Sequence, residues 1–238
     1  MAISAQELPG ERKSALTAGT SIVVMAIVSF FSYGFAHGRL VVKGDAGTTF
    51  HNLLSSVPLF KAEIFGWILI LLCDLVAAWA LYLFLKPVNK SLSLLGAWLR
   101  LVYSAILGIA ILNLLFVLLL VTKTAEFSFT AEQTQSLTML FLNAFESIWS
   151  VGLIIFGGHL LLVGCVALQS DRIPKTIGIL LLLASVGYMV IHLGKTFFPD
   201  YDGVIAVLTM AFMIPMVAGE LGFGLWLLLR GGKLPKGA

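Results

Sequence analysis

The chain of 238 residues has little charge, since Asp, Glu, Lys and Arg make up only 11% of it, whereas apolar residues make up 59%. In soluble globular domains about 25% of residues are charged. Mean hydropathy is +1.02. This composition excludes an ordinary soluble domain and predicts an integral membrane protein in contact with lipids. The net charge of +3 is spread along the chain, so no nucleic-acid partner is expected.

Cysteine and recognisable catalytic motifs are also scarce. The two cysteines, Cys73 and Cys165, fall at different predicted membrane depths, which excludes a disulfide between them. The sequence has no G-x-S-x-G, Walker, dinucleotide-binding or H-E-x-x-H motif. Six residues near the predicted outer ends of the helices lack the fixed spacing of a metal site; they are His37, His51, Glu63, His192, Asp200 and Asp202. We therefore expect no metal and no cofactor, and assign no catalytic residue.

Six apolar stretches are long enough to cross a bilayer, which requires about 20 residues of helix. Proline and glycine residues separate them, as expected of connections between helices. The sequence therefore predicts an all-α polytopic integral membrane protein, a bundle of six transmembrane helices. The predicted spans are 15–37, 61–86, 91–122, 138–169, 174–194 and 204–230.

The segment after the first span predicts a short helix on the outer membrane surface. Asp45 is a suitable N-cap, and Phe50, Leu53, Leu54 and Val57 would share one apolar face. The remaining organisation is a short cytoplasmic N-terminal segment at 1–14, a single transmembrane domain at 15–232 and a cytoplasmic tail at 233–238. The polar stretch before the fourth span predicts that this helix extends beyond the membrane.

The basic residues predict the orientation, because Lys and Arg that flank spans are retained in the cytoplasm. Six crossings place both termini on the same side. With the termini inside, nine basic residues lie at cytoplasmic ends and five at outer ends. The prediction is therefore a multi-pass protein with both termini in the cytoplasm.

An ionisable residue inside a span costs about 2.5 to 3.5 kcal/mol and is a functional-site hypothesis by default, and four such residues are informative here. Counted from the cytoplasmic helix ends at about 1.5 Å per residue, Asp74, Arg100, His159 and Glu220 reach one depth. We call this set the polar layer. Tyr103 and Ser104 follow Arg100 at three and four residues, on the same helix face. These six residues are the predicted ligand-binding site.

The same layer is compatible with three functions. It could bind a small molecule or a lipid, as in a carrier or a sensor. It could be an intramembrane hydrolase in which His159 acts with Asp74 or Glu220 on water. It could instead be a purely structural network of a scaffold or accessory subunit, in which Arg100 neutralises one carboxylate and His159, neutral or charged, donates to the other. The oligomeric state is not predicted.

The predicted fourth helix carries a second polar pattern, which favours a wet face directed inward or towards an outer vestibule. On an ideal helix His159 lies about 180° away from it, so the two features face one cavity only if the helix bends. The pattern consists of Glu132, Gln135, Ser136, Asn143, Glu146, Ser147 and Ser150.

Several segments together resemble a bacterial membrane family known as domain of unknown function 4386. The resemblance covers about residues 15–232 and implies a six- or seven-helix protein of the bacterial inner membrane, without a known activity. It also implies that the four residues of the polar layer belong to the family pattern. The segments are Arg39-Leu-Val-Val-Lys-Gly-Asp45, Leu72-Cys-Asp74, Leu85-Lys-Pro-Val-Asn89, Leu99-Arg-Leu-Val-Tyr103, Phe156-Gly-Gly-His-Leu160, Arg172-Ile-Pro-Lys175, Phe198-Pro-Asp-Tyr201 and Gly219-Glu-Leu221.

Overall fold

The computed structural model describes residues 7–123, 126 and 128–232. Within these residues the chain is helical and contains no strand, which confirms the predicted all-α class. The elements are α1 (Glu7–Ser29), a π-helix (Phe30–His37), α2 (Gly38–Leu40), α3 (Ala46–Ser55), α4 (Val57–Leu85), α5 (Lys90–Thr122), α6 (Ala131–Gln169), α7 (Lys175–Phe197), a 3-10 turn (Pro199–Tyr201) and α8 (Asp202–Leu229).

Six helical segments are long and apolar enough to cross a membrane, as predicted. They are Gly10–Leu40, Val57–Leu85, Lys90–Thr122, Ala131–Gln169, Lys175–Phe197 and Pro199–Leu229. Two helices, α1 and α6, begin seven or eight residues before their predicted spans, and α4 begins four residues before its own. The first begins at Glu7 instead of 15, since a proline in the first helical turn removes no helical hydrogen bond. Residues 1–6 and the predicted tail at 233–238 lie outside the described residues.

The early start of α6 confirms its predicted extension at the N-terminal end. Thr130 and Gln133 form a reciprocal capping box: the Gln133 amide donates to the Thr130 hydroxyl at 3.2 Å, and the Thr130 amide donates to the Gln133 side chain at 2.9 Å. Such a box satisfies two backbone donors that the first turn leaves free. The helix therefore begins at Ala131, ahead of its most apolar stretch.

The chain divides into two compact units. Among the described residues, unit 1 consists of those up to Val24, Cys73–Ser104 and those from Ser150 onward. Unit 2 consists of Met25–Leu72 and Ala105–Trp149. Unit 1 contains all six residues of the predicted binding site.

Two contacts hold α1 against α8 in unit 1. A Cβ atom on Gly19 would lie 2.7 Å from the Gly224 carbonyl oxygen, so the helices approach at a distance that only glycine allows. Near the end of α8 the Arg12 guanidinium donates to the carbonyls of Leu227, Leu228 and Gly231 at 2.7 to 3.1 Å. Leu227 and Leu228 belong to the last turn of α8 and Gly231 follows it, and carbonyls at a helix C-terminus lack their full set of helical partners. Arg12 therefore caps α8 and brings the start of α1 next to the end of α8.

Unit 2 contains the predicted short helix, α3. Asp45 accepts a hydrogen bond from the Thr48 amide at 2.8 Å, which confirms it as the N-cap. That bond and a second one from the Thr48 hydroxyl hold the pKa of the Asp45 carboxyl below its usual value. Of the predicted apolar face, Phe50 and Leu53 are buried, Leu54 is 46% exposed, and Val57 is the first residue of α4 and not part of α3.

Candidate ligand-binding site in the polar layer

Arg100 is the centre of the polar layer. It extends from α5, is 4% exposed, and contacts two neighbouring helices. One terminal nitrogen lies 2.6 Å from Asp74 Oδ1 on α4, and the other lies 3.1 Å from His159 Nε2 on α6. Three of the four residues that the sequence places at one depth are thus joined by direct contacts.

The contacts of His159 define its charge and its tautomer. Its Nδ1 lies 2.8 Å from the Gly96 carbonyl oxygen, which can only accept, so Nδ1 carries the hydrogen. A guanidinium can only donate, so Nε2 is the acceptor of the bond from Arg100. His159 is therefore a neutral imidazole. The expectation that it donates to a carboxylate is wrong, because Arg100 and Gly96 occupy both nitrogens.

Phe156 contacts two side chains of α5, the guanidinium of Arg100 and the ring of Tyr103. The Arg100 carbon Cζ lies 5.3 Å from the centre of the Phe156 ring, within cation–π distance. The Tyr103 ring is 4.9 Å from the same phenyl ring. Ser104 donates instead to the Arg100 carbonyl of its own helix, at 2.8 Å. Tyr103 therefore helps to enclose the layer, whereas the Ser104 hydroxyl is used within α5.

Glu220, on α8, has a different partner. The Tyr188 hydroxyl on α7 donates to Glu220 Oε1 at 2.6 Å. The Tyr188 ring also meets Phe156 edge to face, with 5.3 Å between ring centres. Glu220 is half-buried, in contrast to the buried Asp74, Arg100 and His159. Phe156 thus has the guanidinium of Arg100 and the ring of Tyr188 as neighbours.

Sequence analysis did not identify Tyr188 or Phe156 as site residues. The available signal for Tyr188 is a hydroxyl group within an apolar span, four residues before His192 and therefore on the same helix face. Phe156 gives no comparable signal, because apolar residues are common in a membrane helix whether or not they line a site. The roles of both residues depend on helix packing.

A small cavity adjoins His159. It has a volume of about 10 Å³, which is room for a single water molecule. Apart from His159, its polar lining comes from Tyr82, Ser93 and Gly96, and leucine, valine and alanine side chains of α4, α5 and α6 complete it.

The residues at the predicted outer ends are divided between the two units, and two of the histidines have partners within their own unit. His192 accompanies Ser150 in unit 1, at 2.8 Å between the ring and the hydroxyl, whereas His37 contacts Glu63 in unit 2. His51 is exposed. Within the part of the chain that the structure describes, no group of three or more His, Cys, Asp or Glu residues has the geometry to hold a metal ion.

The polar pattern on α6 does not form a wet interior face. Glu132, Ser136, Asn143 and Ser147 are exposed. A different face of the same helix is buried, including Phe145. The inward orientation is therefore wrong for most of the pattern, because the spacing of polar residues identifies a helix face but not the surface that the face meets.

Comparisons with known proteins give a family and one curated relative. The sequence model described as "Domain of unknown function (DUF4386)" matches residues 17–231. An "Uncharacterized protein" of Archaeoglobus fulgidus is 33% identical over 172 residues, which cover 72% of this chain and 85% of that protein. No solved structure matches the chain.

Proposed function

The chain belongs to the family described as domain of unknown function DUF4386, and we propose that its polar layer binds a ligand with a positively charged amine. The ligand is a small molecule or a lipid head group, and the protein acts as a carrier or a sensor. The observation that carries the proposal is the charge composition of the layer: one Arg100 accompanies two carboxyl groups, Asp74 and Glu220, while His159 is neutral.

The two carboxyl groups differ in a way that supports a binding role for Glu220. Asp74 is buried in an ion pair with Arg100, so this pair needs no further charge. Glu220 receives the uncharged hydroxyl of Tyr188 and is half-buried. A carboxyl group inside a membrane helix is energetically costly, and such residues usually have a function. A protonated amine that approaches from the exposed side of Glu220 would supply the missing charge through a charge-assisted hydrogen bond.

The size of the cavity places a condition on the ligand. The space beside His159 holds about one water molecule and is not lined by Glu220, so a larger group would approach Glu220 from its exposed side. An alkyl chain attached to the amine would lie among the apolar residues of the spans. An amphiphilic amine therefore suits the surroundings of Glu220 better than a strongly hydrated ion.

The hydrolase alternative receives no support from the contacts of His159. A general base needs a ring nitrogen within hydrogen-bonding distance of the attacking water. Both nitrogens of His159 are already in use, one towards Gly96 and the other towards Arg100. A scaffold in which the layer is only structural is the remaining alternative, and the experiment below separates it from ligand binding.

The test is thermal unfolding of the purified full-length protein with decylamine, and with decanol as the uncharged probe of equal chain length. A ligand at a hundredfold its dissociation constant stabilises the folded state by about 2.7 kcal/mol. We expect saturable stabilisation by decylamine beyond that by decanol, and loss of the difference in Glu220→Gln. Glu132→Gln, which removes an exposed carboxylate on α6, should behave as the wild type.

A second arm distinguishes a lipid head group from a free amine. Short-chain phosphatidylethanolamine and phosphatidylglycerol share acyl chains but differ in the amine. Stabilisation by the former alone indicates a lipid, and stabilisation by decylamine alone indicates a soluble amine. If neither amine stabilises the wild type beyond its control, or if Glu220→Gln responds equally, the layer is structural.

We further propose a bacterial inner-membrane location with cytoplasmic termini. The support is the excess of basic residues at one set of helix ends. Fusion of a cytoplasm-active fluorescent protein after residue 238 should give fluorescent cells, and fusion of a periplasm-active phosphatase should give inactive enzyme. The opposite pattern would reverse the orientation.

A further inference from the structure

Unit 2 contains a cluster of ionisable side chains that is separate from the polar layer. It consists of His37 at the end of the π-helix, Glu63 on α4 and Glu146 on α6. His37 Nδ1 lies 2.7 Å from Glu63 Oε1, and His37 Nε2 lies 3.4 Å from Glu146 Oε1. A carboxyl oxygen therefore faces each ring nitrogen of His37.

The three side chains differ in their exposure. Glu146 is 33% exposed, His37 is 6% exposed and Glu63 is completely buried. Glu146 therefore borders the outside of the helices, whereas Glu63 does not. The second carboxyl oxygen of Glu63 has no hydrogen-bond partner among the described residues. The bond to His37 is thus the connection that these residues provide between Glu63 and the exterior.

Aromatic rings surround the cluster. The buried Trp67 ring lies 4.8 Å from the Trp149 ring and 5.2 Å from the Phe145 ring, measured between ring centres. Tyr33 stacks on His37 at 5.4 Å. Rings at these separations are in direct contact and leave little room for water between them.

The π-helix gives His37 its position. Ser32 and His37, five residues apart, are both buried. In an α-helix a separation of five residues would place them about 140° apart, whereas π-helical bonding joins residues five apart. Eight consecutive residues adopt this uncommon geometry. π-helical turns are frequent at functional sites, which agrees with a role for His37 beyond packing.

We propose that Glu146, His37 and Glu63 form a proton relay, with Glu63 as its buried proton-binding site. In the transfer, protonated Glu146 gives its proton to Nε2 of neutral His37, and Nδ1 gives its proton to Glu63 Oε1. One O–H and one N–H bond break, and one of each forms. The net charge of the three groups is −1 before, during and after the transfer.

The contacts of His37 identify the titratable groups that face it from each neighbouring helix. Its own helix contributes Tyr33, α4 contributes Glu63 and α6 contributes Glu146. The part of α5 that belongs to unit 2 within the helix, 105–122, contains no Asp, Glu, Lys, Arg or His. This part of α5 therefore supplies no Asp, Glu, Lys, Arg or His side chain to the relay. The proposal is independent of the amine site at Glu220.

The test is nuclear magnetic resonance of the full-length protein with ¹⁵N-labelled histidine. The signals of His37 are assigned by their loss in His37→Asn. The measured quantity is the rate at which the Nδ1 proton of His37 exchanges with water. We expect Glu146→Gln to slow this exchange on the order of a hundredfold, the lower end of what a positioned proton carrier contributes. Glu132→Gln, on the same helix but exposed, should exchange as the wild type does.

Glu146→Asp is the second variant and remains informative if Glu146→Gln does not fold. It keeps a carboxyl group but moves it away from Nε2, so exchange should be slower than in the wild type and faster than in the glutamine variant. A purely structural ion pair predicts a different result, since exchange would then follow local opening of the protein. Unchanged or faster exchange in these variants, at an unchanged melting temperature, would overturn the relay.

Discussion

Replacement of Arg100 by glutamine tests the energetic importance of the buried ion pair. The variant keeps a polar side chain on α5 but leaves Asp74, which is 2% exposed, without its counter-charge. Removal of one partner of a buried pair costs about 3 to 5 kcal/mol. A typical hydrogen bond between membrane helices contributes only about 0.6 kcal/mol. Since the charge of Asp74 dominates, we expect a loss of about 3 kcal/mol.

The double variant Asp74→Asn, Arg100→Gln provides the decisive comparison. Both charges are then absent, so the expected loss is about 1 kcal/mol, well below the sum of the two single losses. For chains of this size 1 kcal/mol corresponds to about 2 to 4 °C, which gives a decrease of about 6 to 12 °C for Arg100→Gln alone. Arg39→Gln, at an exposed position, is the control for loss of an arginine charge.

The assay is thermal or denaturant unfolding of the purified protein in one detergent. A loss below about 1 kcal/mol in Arg100→Gln would show that the pair contributes no more than an ordinary polar contact. A double variant that is as unstable as the sum of the single variants would show that the two side chains act independently. Either result would refute the proposed dominance of the uncompensated Asp74 carboxylate.

Two further predictions concern helix packing and pH. Gly19→Ala should cost about 1 to 3 kcal/mol, because its Cβ would meet the Gly224 carbonyl; Gly222→Ala, with open space around it, should be neutral or stabilising in the same unfolding assay. Because hydrogen bonds lower the pKa of Asp45, its stabilisation of α3 is complete above about pH 4 and is lost as the pH falls through the folded-state pKa. Faster hydrogen exchange at the Thr48 amide, relative to Asp45→Asn at each pH, should report this loss, and an identical pH profile for both proteins would contradict it.

The common depth of Asp74, Arg100 and His159 could be predicted because the rise per residue of an α-helix is nearly constant. Depth is then a matter of counting from the helix ends. The direction of each side chain around its helix depends on which helix packs beside it. This is why the link from Glu220 to Tyr188 was not predicted, although the depth of Glu220 was.

The polar pattern on α6 shows a second limit of sequence analysis. Asn143 and Ser147 have the spacing of one helix face, and that spacing is present in the structure. The face is exposed, which contradicts the prediction that it points inward and leaves the prediction of an outer vestibule as a prediction. In a membrane protein, buried and lipid-facing surfaces are similarly apolar, so hydropathy alone does not indicate which face meets another helix.

The π-helix was also beyond prediction. Its residues, Phe30 to His37, have no composition that distinguishes them from an ordinary α-helical span. The proximity of His37 and Glu63 depends on this local geometry and on the packing of α4. Sequence analysis named both residues but had no fixed spacing that could relate them.

The cap that Arg12 provides for α8 has a consequence for biosynthesis. Its partners lie 215 to 219 residues further along the chain. The hydrogen bonds between α1 and the end of α8 can therefore form only after α8 has been synthesised. During translation, α1 must remain in the membrane without this neighbour until nearly the whole chain has been synthesised. A ribosome that stalls before residue 227 would leave α1 without the cap contacts of Arg12 at the end of α8.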